Sequence, residues 1–223
     1  MDIKLFSQAI IKYLLGVFII SILLFIPANT FNYWNGWLFM GLLFIPMFIA
    51  GIVMMKKSPE LLKKRLNAKE KEKEQKQVLL FIGLMFLFGF IIAGLNYRYK
   101  WIVIPNSVVI ISSIIFVIAY ILYAEVLREN EYLSRTIEVQ ENQKVVDTGL
   151  YGIVRHPMYA ATILLFLSMP LVLGSIISFV IFLVYPFIIA KRIKNEEEVL
   201  EKELDGYIEY KKKVRYKMIP FIW

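Results

Sequence analysis

The sequence contains no cysteine and a single histidine. Without a thiol, disulfides, thiolate metal sites and a cysteine nucleophile are excluded. One imidazole does not make a histidine-rich metal centre, so no metal site is expected. No G-x-G-x-x-G follows an expected strand, and neither G-x-x-x-x-G-K-[ST] nor G-x-S-x-G occurs. A Rossmann-type nucleotide site, a P-loop and an acyl-hydrolase elbow are therefore unsupported. Any soluble cofactor has to be held by helix ends and tails.

Apolar residues are plentiful. They make up 59% of the 223 residues and raise the mean hydropathy to +0.63, which a soluble domain of this size does not normally show. Runs long enough to cross ~30 Å of hydrocarbon lie at Ile10–Ala28, Trp34–Met55, Val78–Leu95 and Ile102–Ala124. The first has Lys12 near its start and no small-residue cleavage pattern after it, so it reads as a retained helix and not a signal peptide. A fifth block, Met158–Ala190, is too long for one crossing and is interrupted by Pro170 and by Gly174-Ser175. This pattern predicts a hairpin of two helices. The expected fold is all-α: a polytopic membrane helical bundle of about six spans, forming one integral membrane domain over residues 1–223.

Charge sorts the connections. The segment Lys56–Gln77 holds nine Lys or Arg and the tail Lys191–Lys217 another nine, whereas "NTFNY" after the first span holds none. With Lys4, Lys12, Arg128, Arg135, Lys144 and Arg155, 24 of the 26 basic residues fall on one side; only Arg98 and Lys100 fall on the other. By the positive-inside rule the basic side, with both termini, is cytoplasmic. The net charge of +8 is thus topological, and no nucleic-acid partner is expected. Tyr33, Trp34, Trp37, Tyr97, Tyr99 and Trp101 fall at the expected outer ends of spans, as aromatic anchors do. The Lys/Glu-rich stretch Lys63–Gln77 reads as a solvated or headgroup-lying helix.

Three basic-side pieces carry polar groups of interest. In "TGLYGIVRHPMY" (148–159), Pro157 disfavours the α region for His156 and suits a first helical turn. His156 is thus expected at a helix cap, with Tyr159 on the same end and Thr148-Gly149 as a turn bringing Tyr151 close. In "RIKNEEEVL" (192–200), Arg192 and Glu196 are four apart and share a helix face, continued by Leu200 and Leu204. A helical hairpin brings these two pieces together. Three consecutive glutamates beside a bilayer suit a cationic ligand better than they suit structure alone. The third piece places Tyr207, Tyr210 and Val214 at helical spacing, either as an amphipathic helix on the membrane or as a cover for a cofactor.

At these residues the chain resembles the isoprenylcysteine carboxyl methyltransferase family, in particular its bacterial members. The resemblance rests on "TGLYGIVRHPMY", "RIKNEEEVL" and the ending "LDGYIEYKKKVRYKMIPFIW", and covers about the last 100 residues; "SPELLKKRL" (58–66) is similar to a loop of the bacterial members. It implies a cytoplasmic pocket for S-adenosyl-L-methionine within residues 125–223, the cofactor-binding and catalytic portion. The implied cofactor-binding residues are Gln140, Gln143, Lys144, Val145, Val146, Tyr151, His156, Pro157, Met158, Tyr159 and Glu196. Arg192 and Glu196 are the implied catalytic pair, Arg192 beside the methyl-accepting carboxylate of a lipidic or amphipathic acceptor. The chain departs from the family at Ala160-Ala161, where a glycine is frequent, and at "LDGYIEY", which lacks the F-G-x-x-Y form of the eukaryotic enzymes. Two other readings stay open: an NADPH-dependent membrane reductase of the sterol-reductase type, and a non-catalytic membrane scaffold.

Overall fold

The computed structural model describes residues 3–66, 73–134 and 139–223. Among the described residues there are nine α-helices and no strand. They are α1 (Ile3–Ala28), α2 (Trp34–Lys57), α3 (Pro59–Leu66), α4 (Lys73–Tyr99), α5 (Asn106–Glu129), α6 (Pro157–Val172), α7 (Ile176–Phe182), α8 (Tyr185–Glu203) and α9 (Tyr207–Lys213). A single 3-10 turn, Gly149–Gly152, precedes α6. Helices α1, α2, α4, α5 and the α7–α8 run are long and apolar enough to cross a membrane, and α6 is a shorter apolar helix. The protein is an all-helical, multi-pass membrane protein. Side chains such as Ile11, Leu14 and Phe18 of α1 and Ile110, Ile114 and Ile121 of α5 point outward, as they do where lipid is the solvent.

Several boundaries differ from the sequence reading. Residues 102–105 are not helical, and Pro105 in extended conformation is the N-cap of α5, because proline disfavours helix in the residue before it. Helix α4 is already helical ahead of Val78, from Lys73 among the described residues, and lysine and glutamine are good helix formers. The helix expected over Lys63–Gln77 falls partly on residues 67–72, which lie outside the described residues, as does Arg135.

The C-terminal hairpin forms with its turn at Gly174-Ser175, while α6 runs through Pro170 to Val172, and a second break falls at Leu183-Val184 just before Pro186. Gly174 takes φ +78°, a conformation that glycine adopts at little cost, and Ser175 caps α7 by accepting a bond from the Ser178 amide at 3.2 Å. The carbonyls released at the turn find side-chain donors. Tyr33 Oη donates to Leu173 O at 2.6 Å, Asn35 Nδ2 to Val172 O at 3.0 Å and Asn96 Nδ2 to Gly174 O at 3.3 Å. Tyr33 is therefore no interfacial anchor: it is wholly buried and stacks on Tyr97 with centroids 4.3 Å apart. Carbonyls released at a largely buried turn need donors, and this need outweighs the anchoring role.

Between the two polar ends lies an aromatic core. Phe39 packs against Phe90 and Phe116, and Phe90 against Phe182. Helices α1 and α4 approach closely at Gly94, where an added Cβ would stand 2.5 Å from Leu24 O and 3.0 Å from Pro27 Cβ. Small residues allow such approaches between membrane helices. Gly94→Ala should separate α1 from α4 and cost about 1–3 kcal/mol. Gly51→Ala, whose Cβ would meet nothing within 4 Å, should leave the melting midpoint of the detergent-solubilised protein unchanged in the same scan.

Candidate active site

At one end of the bundle the C-terminus of α5, the N-terminus of α6, the C-terminal half of α8 and the chain's tail meet. Each arrives there for a local reason. Glu129 ends α5, and its carboxylate accepts the Leu150 amide at 2.9 Å, holding the 3-10 turn. Gly149 lies close over this carboxylate with φ +52°, so a side chain there would strain the backbone and displace Glu129. His156 is the N-cap of α6 with Pro157 at the first helical position, as the X-Pro geometry predicts. Helix α8 runs from apolar to charged without a break and delivers Arg192, Glu196 and Glu197 to this end.

A buried ionic cluster joins these elements. Glu197 Oε1 accepts from Arg155 Nε at 2.8 Å and lies 3.2 Å from His156 Nε2, while its Oε2 is 3.1 Å from Lys217 Nζ. Arg155 Nη1 also donates to Val214 O at 2.7 Å and Arg215 O at 2.8 Å. The backbone follows the same path: the Arg155 and His156 amides donate to Tyr216 O and Lys217 O. Arg155, His156 and Glu197 are all almost completely buried. The last residues are thus bound into the protein, and the alternative of a tail lying only on the membrane does not hold. Apolar packing reinforces this: Leu204, Tyr207, Tyr210 and Val214 form a small core with Val139, Val145 and Leu200.

Beside the cluster opens a cleft with a cavity volume of about 110 Å³. Of the residues singled out from sequence, Gln143, Lys144, Val145, Val146, Tyr151, His156, Met158, Tyr159, Arg192 and Glu196 line it. Two do not. Pro157 is buried as the start of α6, and Gln140 braces the loop by donating its side-chain amide to Tyr132 O at 2.5 Å and its backbone N–H to the Gln143 side-chain oxygen at 2.9 Å. Glu197, a neighbour of Glu196, turns into the ionic cluster. Within the cleft Tyr159 Oη links the two residues that sequence spacing paired: it accepts from Arg192 Nε at 3.0 Å and donates to Glu196 Oε2 at 2.5 Å.

The lining also includes Asn130, Tyr132, Leu133 and Ser134, which sequence reasoning missed. Their only sequence signal is an Asn that can cap α5, followed by a tyrosine. Asn130 does cap it, receives the Tyr132 amide at its side chain and donates to Tyr151 Oη at 3.0 Å. Tyr207 and Tyr210 complete the wall; Tyr210 Oη donates to Tyr151 O at 2.8 Å. The Tyr207 hydroxyl is buried without a hydrogen-bond partner among the described residues. Burial pushes the phenols of Tyr151, Tyr207 and Tyr210 above their ordinary range, for Tyr207 with the added charge of Glu197 and Glu196. They are neutral donors at any physiological pH. At the rim, Lys213 beside Asp147 holds that carboxyl below its usual range.

Fold and site define the class: a polytopic helical membrane protein with a polar cleft built from the ends of its C-terminal helices. Over residues 109–202 the chain matches the family model for the isoprenylcysteine carboxyl methyltransferase (ICMT) family. No curated protein matches the chain. Among solved structures it is similar to that of the eukaryotic intramembrane Ras methyltransferase ICMT without a monobody, at 14% identity, covering 100% of this chain and 88% of that one, with a TM-score of 0.49.

The ionic cluster has a direct test. Glu197→Ala leaves Arg155 buried with one carboxylate fewer, a class of change that costs about 3–5 kcal/mol. The expected result is a lower melting midpoint together with faster trypsin cleavage at Arg215 and Lys217, read by mass spectrometry of the released C-terminal peptide.

Proposed function

We propose that this protein uses S-adenosyl-L-methionine to methylate a carboxylate, or another nucleophile, on a lipidic or amphipathic acceptor, with residues 125–223 as its cofactor-binding and catalytic portion. The observation that carries this reading is the unpartnered, buried Tyr207 hydroxyl in a cleft that also holds the Glu196 carboxylate. Such a wall suits a ligand carrying both hydrogen-bonding groups and positive charge, so the residues present fit S-adenosyl-L-methionine. When bound, that molecule supplies an electrophilic methyl group on a cationic sulfur.

The chain's own residues then have separable tasks. Glu196, oriented by Tyr159, faces the ligand's positive charge, and Tyr207 hydrogen-bonds it from the tail side. Gln143, Lys144, Val145 and Val146 form the wall against which it rests, with Tyr151, Met158 and Tyr159. His156 acts as a wall held by Glu197 and not as a base. Arg192 offers its planar fork to an acceptor carboxylate, a geometry that lysine does not reproduce. A carboxylate is already ionised at neutral pH, so alignment and exclusion of water are the main contributions asked of the protein. The sequence assigns 24 of the 26 basic residues to one side, and this supports a cytoplasmic location for the cleft and for both termini.

A reductase using NADPH fits less well, because Glu196 repels a 2′-phosphate and Arg155 is already engaged by Glu197. Calorimetric titration of the detergent-purified protein with S-adenosylhomocysteine tests the proposal. Micromolar binding is expected, weakened at least about tenfold, or ~1.4 kcal/mol, by Glu196→Ala and by Tyr207→Phe. Absence of binding by folded protein, with thermal protection by NADPH instead, sinks it.

A further inference from the structure

The strip Asn130–Ser134 lines the cleft although its helix has already ended at Glu129. Irregular backbone needs partners for its carbonyls, and here two of them come from α3, far outside the matched residues 109–202. Lys64 Nζ donates to Glu131 O at 3.3 Å and stands 5.8 Å from the Tyr132 ring. Arg65 Nη1 donates to Ser134 O at 3.3 Å, while its Nη2 hydrogen-bonds the Tyr123 hydroxyl of α5 and its guanidinium lies 5.6 Å from that ring.

Helix α3 is itself well seated. Leu61 and Leu62 are buried, and Lys12 Nζ of α1 donates to its last carbonyl, Leu66 O, at 2.5 Å. A lysine or arginine touching a carbonyl at the surface usually contributes little. Arg65 differs because it is half-buried and its fork joins two elements at once, α5 through Tyr123 and the strip through Ser134. A guanidinium over an aromatic face combines stacking with charge, and lysine lacks the fork.

We infer that Arg65, assisted by Lys64, is a positioning residue: it fixes the 130–134 wall of the cleft against α5 without touching the ligand. The kinetic consequence rests on the reading of the cleft as the S-adenosyl-L-methionine site; the clamp itself does not. With the wall released, KM for S-adenosyl-L-methionine should rise about tenfold while kcat stays within about twofold, the pattern of lost binding without lost transition-state contacts.

The absence of cysteine allows a test that needs no activity. Ser134→Cys provides a sole thiol on the wall, and Ser107→Cys, at the far end of α5, a control. Labelling of Cys-substituted position 134 by a hydrophilic maleimide should accelerate at least about fivefold with Arg65→Ala, with a smaller increase for Arg65→Lys and for Tyr123→Phe, while the control rate holds. S-adenosylhomocysteine affinity should fall in the same order. Unchanged labelling in all three variants overturns the clamp, and faster labelling with unchanged S-adenosylhomocysteine affinity overturns its positioning role. If Arg65→Ala does not fold, Arg65→Lys and Tyr123→Phe decide the matter. If the parent protein binds no S-adenosylhomocysteine, the cofactor reading fails, and the labelling rates still decide the clamp.

Discussion

Glu197 is the carboxylate on which the arrangement of this end of the protein depends. It sits near the C-terminal end of a helix that has just left the bilayer, and it is satisfied by Arg155 and His156 from the start of the hairpin and by Lys217 from the tail. A buried charge needs partners of opposite sign with good geometry, so these three segments have to converge. Helical geometry has a second effect. Consecutive residues on a helix point about 100° apart, so the residue that closes the cluster cannot also face the cleft. Glu197 closes it, and Glu196 is turned toward Tyr159 and the cleft.

The opposite end of the bundle follows the same physics with neutral groups. Tyr33, Asn35 and Asn96 carry no charge, and they bind the carbonyls that the hairpin turn releases. Because that turn is clamped, α6 and the α7–α8 run are held as one unit across the membrane. The separation of Arg155-His156 from Arg192-Glu196 is then set from the far side as well as by the ionic cluster. A polar cleft at the membrane edge, next to a rigid apolar bundle, is the arrangement required when a water-soluble donor and a lipid-like acceptor have to meet.

The catalytic chemistry proposed here draws on the residues within the matched stretch, but the cleft is not made by that stretch alone. Its outer wall contains Tyr207 and Tyr210 of the tail, and its 130–134 wall is braced by α3 from the N-terminal half. The first spans therefore do more than anchor the protein. They present a short basic helix at the depth where the pocket's irregular backbone lies.

Much was legible in the sequence because it is local or periodic. Apolar runs placed the spans, Gly174-Ser175 placed the hairpin turn, Pro157 placed His156 at a helix cap, and the spacing of Arg192 and Glu196 put both on one face. The resemblance carried by R-H-P-x-Y and the spaced Arg and Glu pointed to the same pocket. Other features had no local signature. Tyr33 looked like an interfacial anchor and is a core residue bonded to Leu173, 140 positions away. The 130–134 wall, the choice of Glu197 over Glu196 for the ionic cluster and the unpartnered Tyr207 hydroxyl were equally invisible. By itself the sequence determined which segments enter the membrane and which polar groups reach its basic face, since hydrophobicity and backbone preference act within a few residues. Only the tertiary structure decided which of those groups satisfy one another and which are left facing the cleft, because a buried polar atom's partner is chosen by packing between segments distant in the chain.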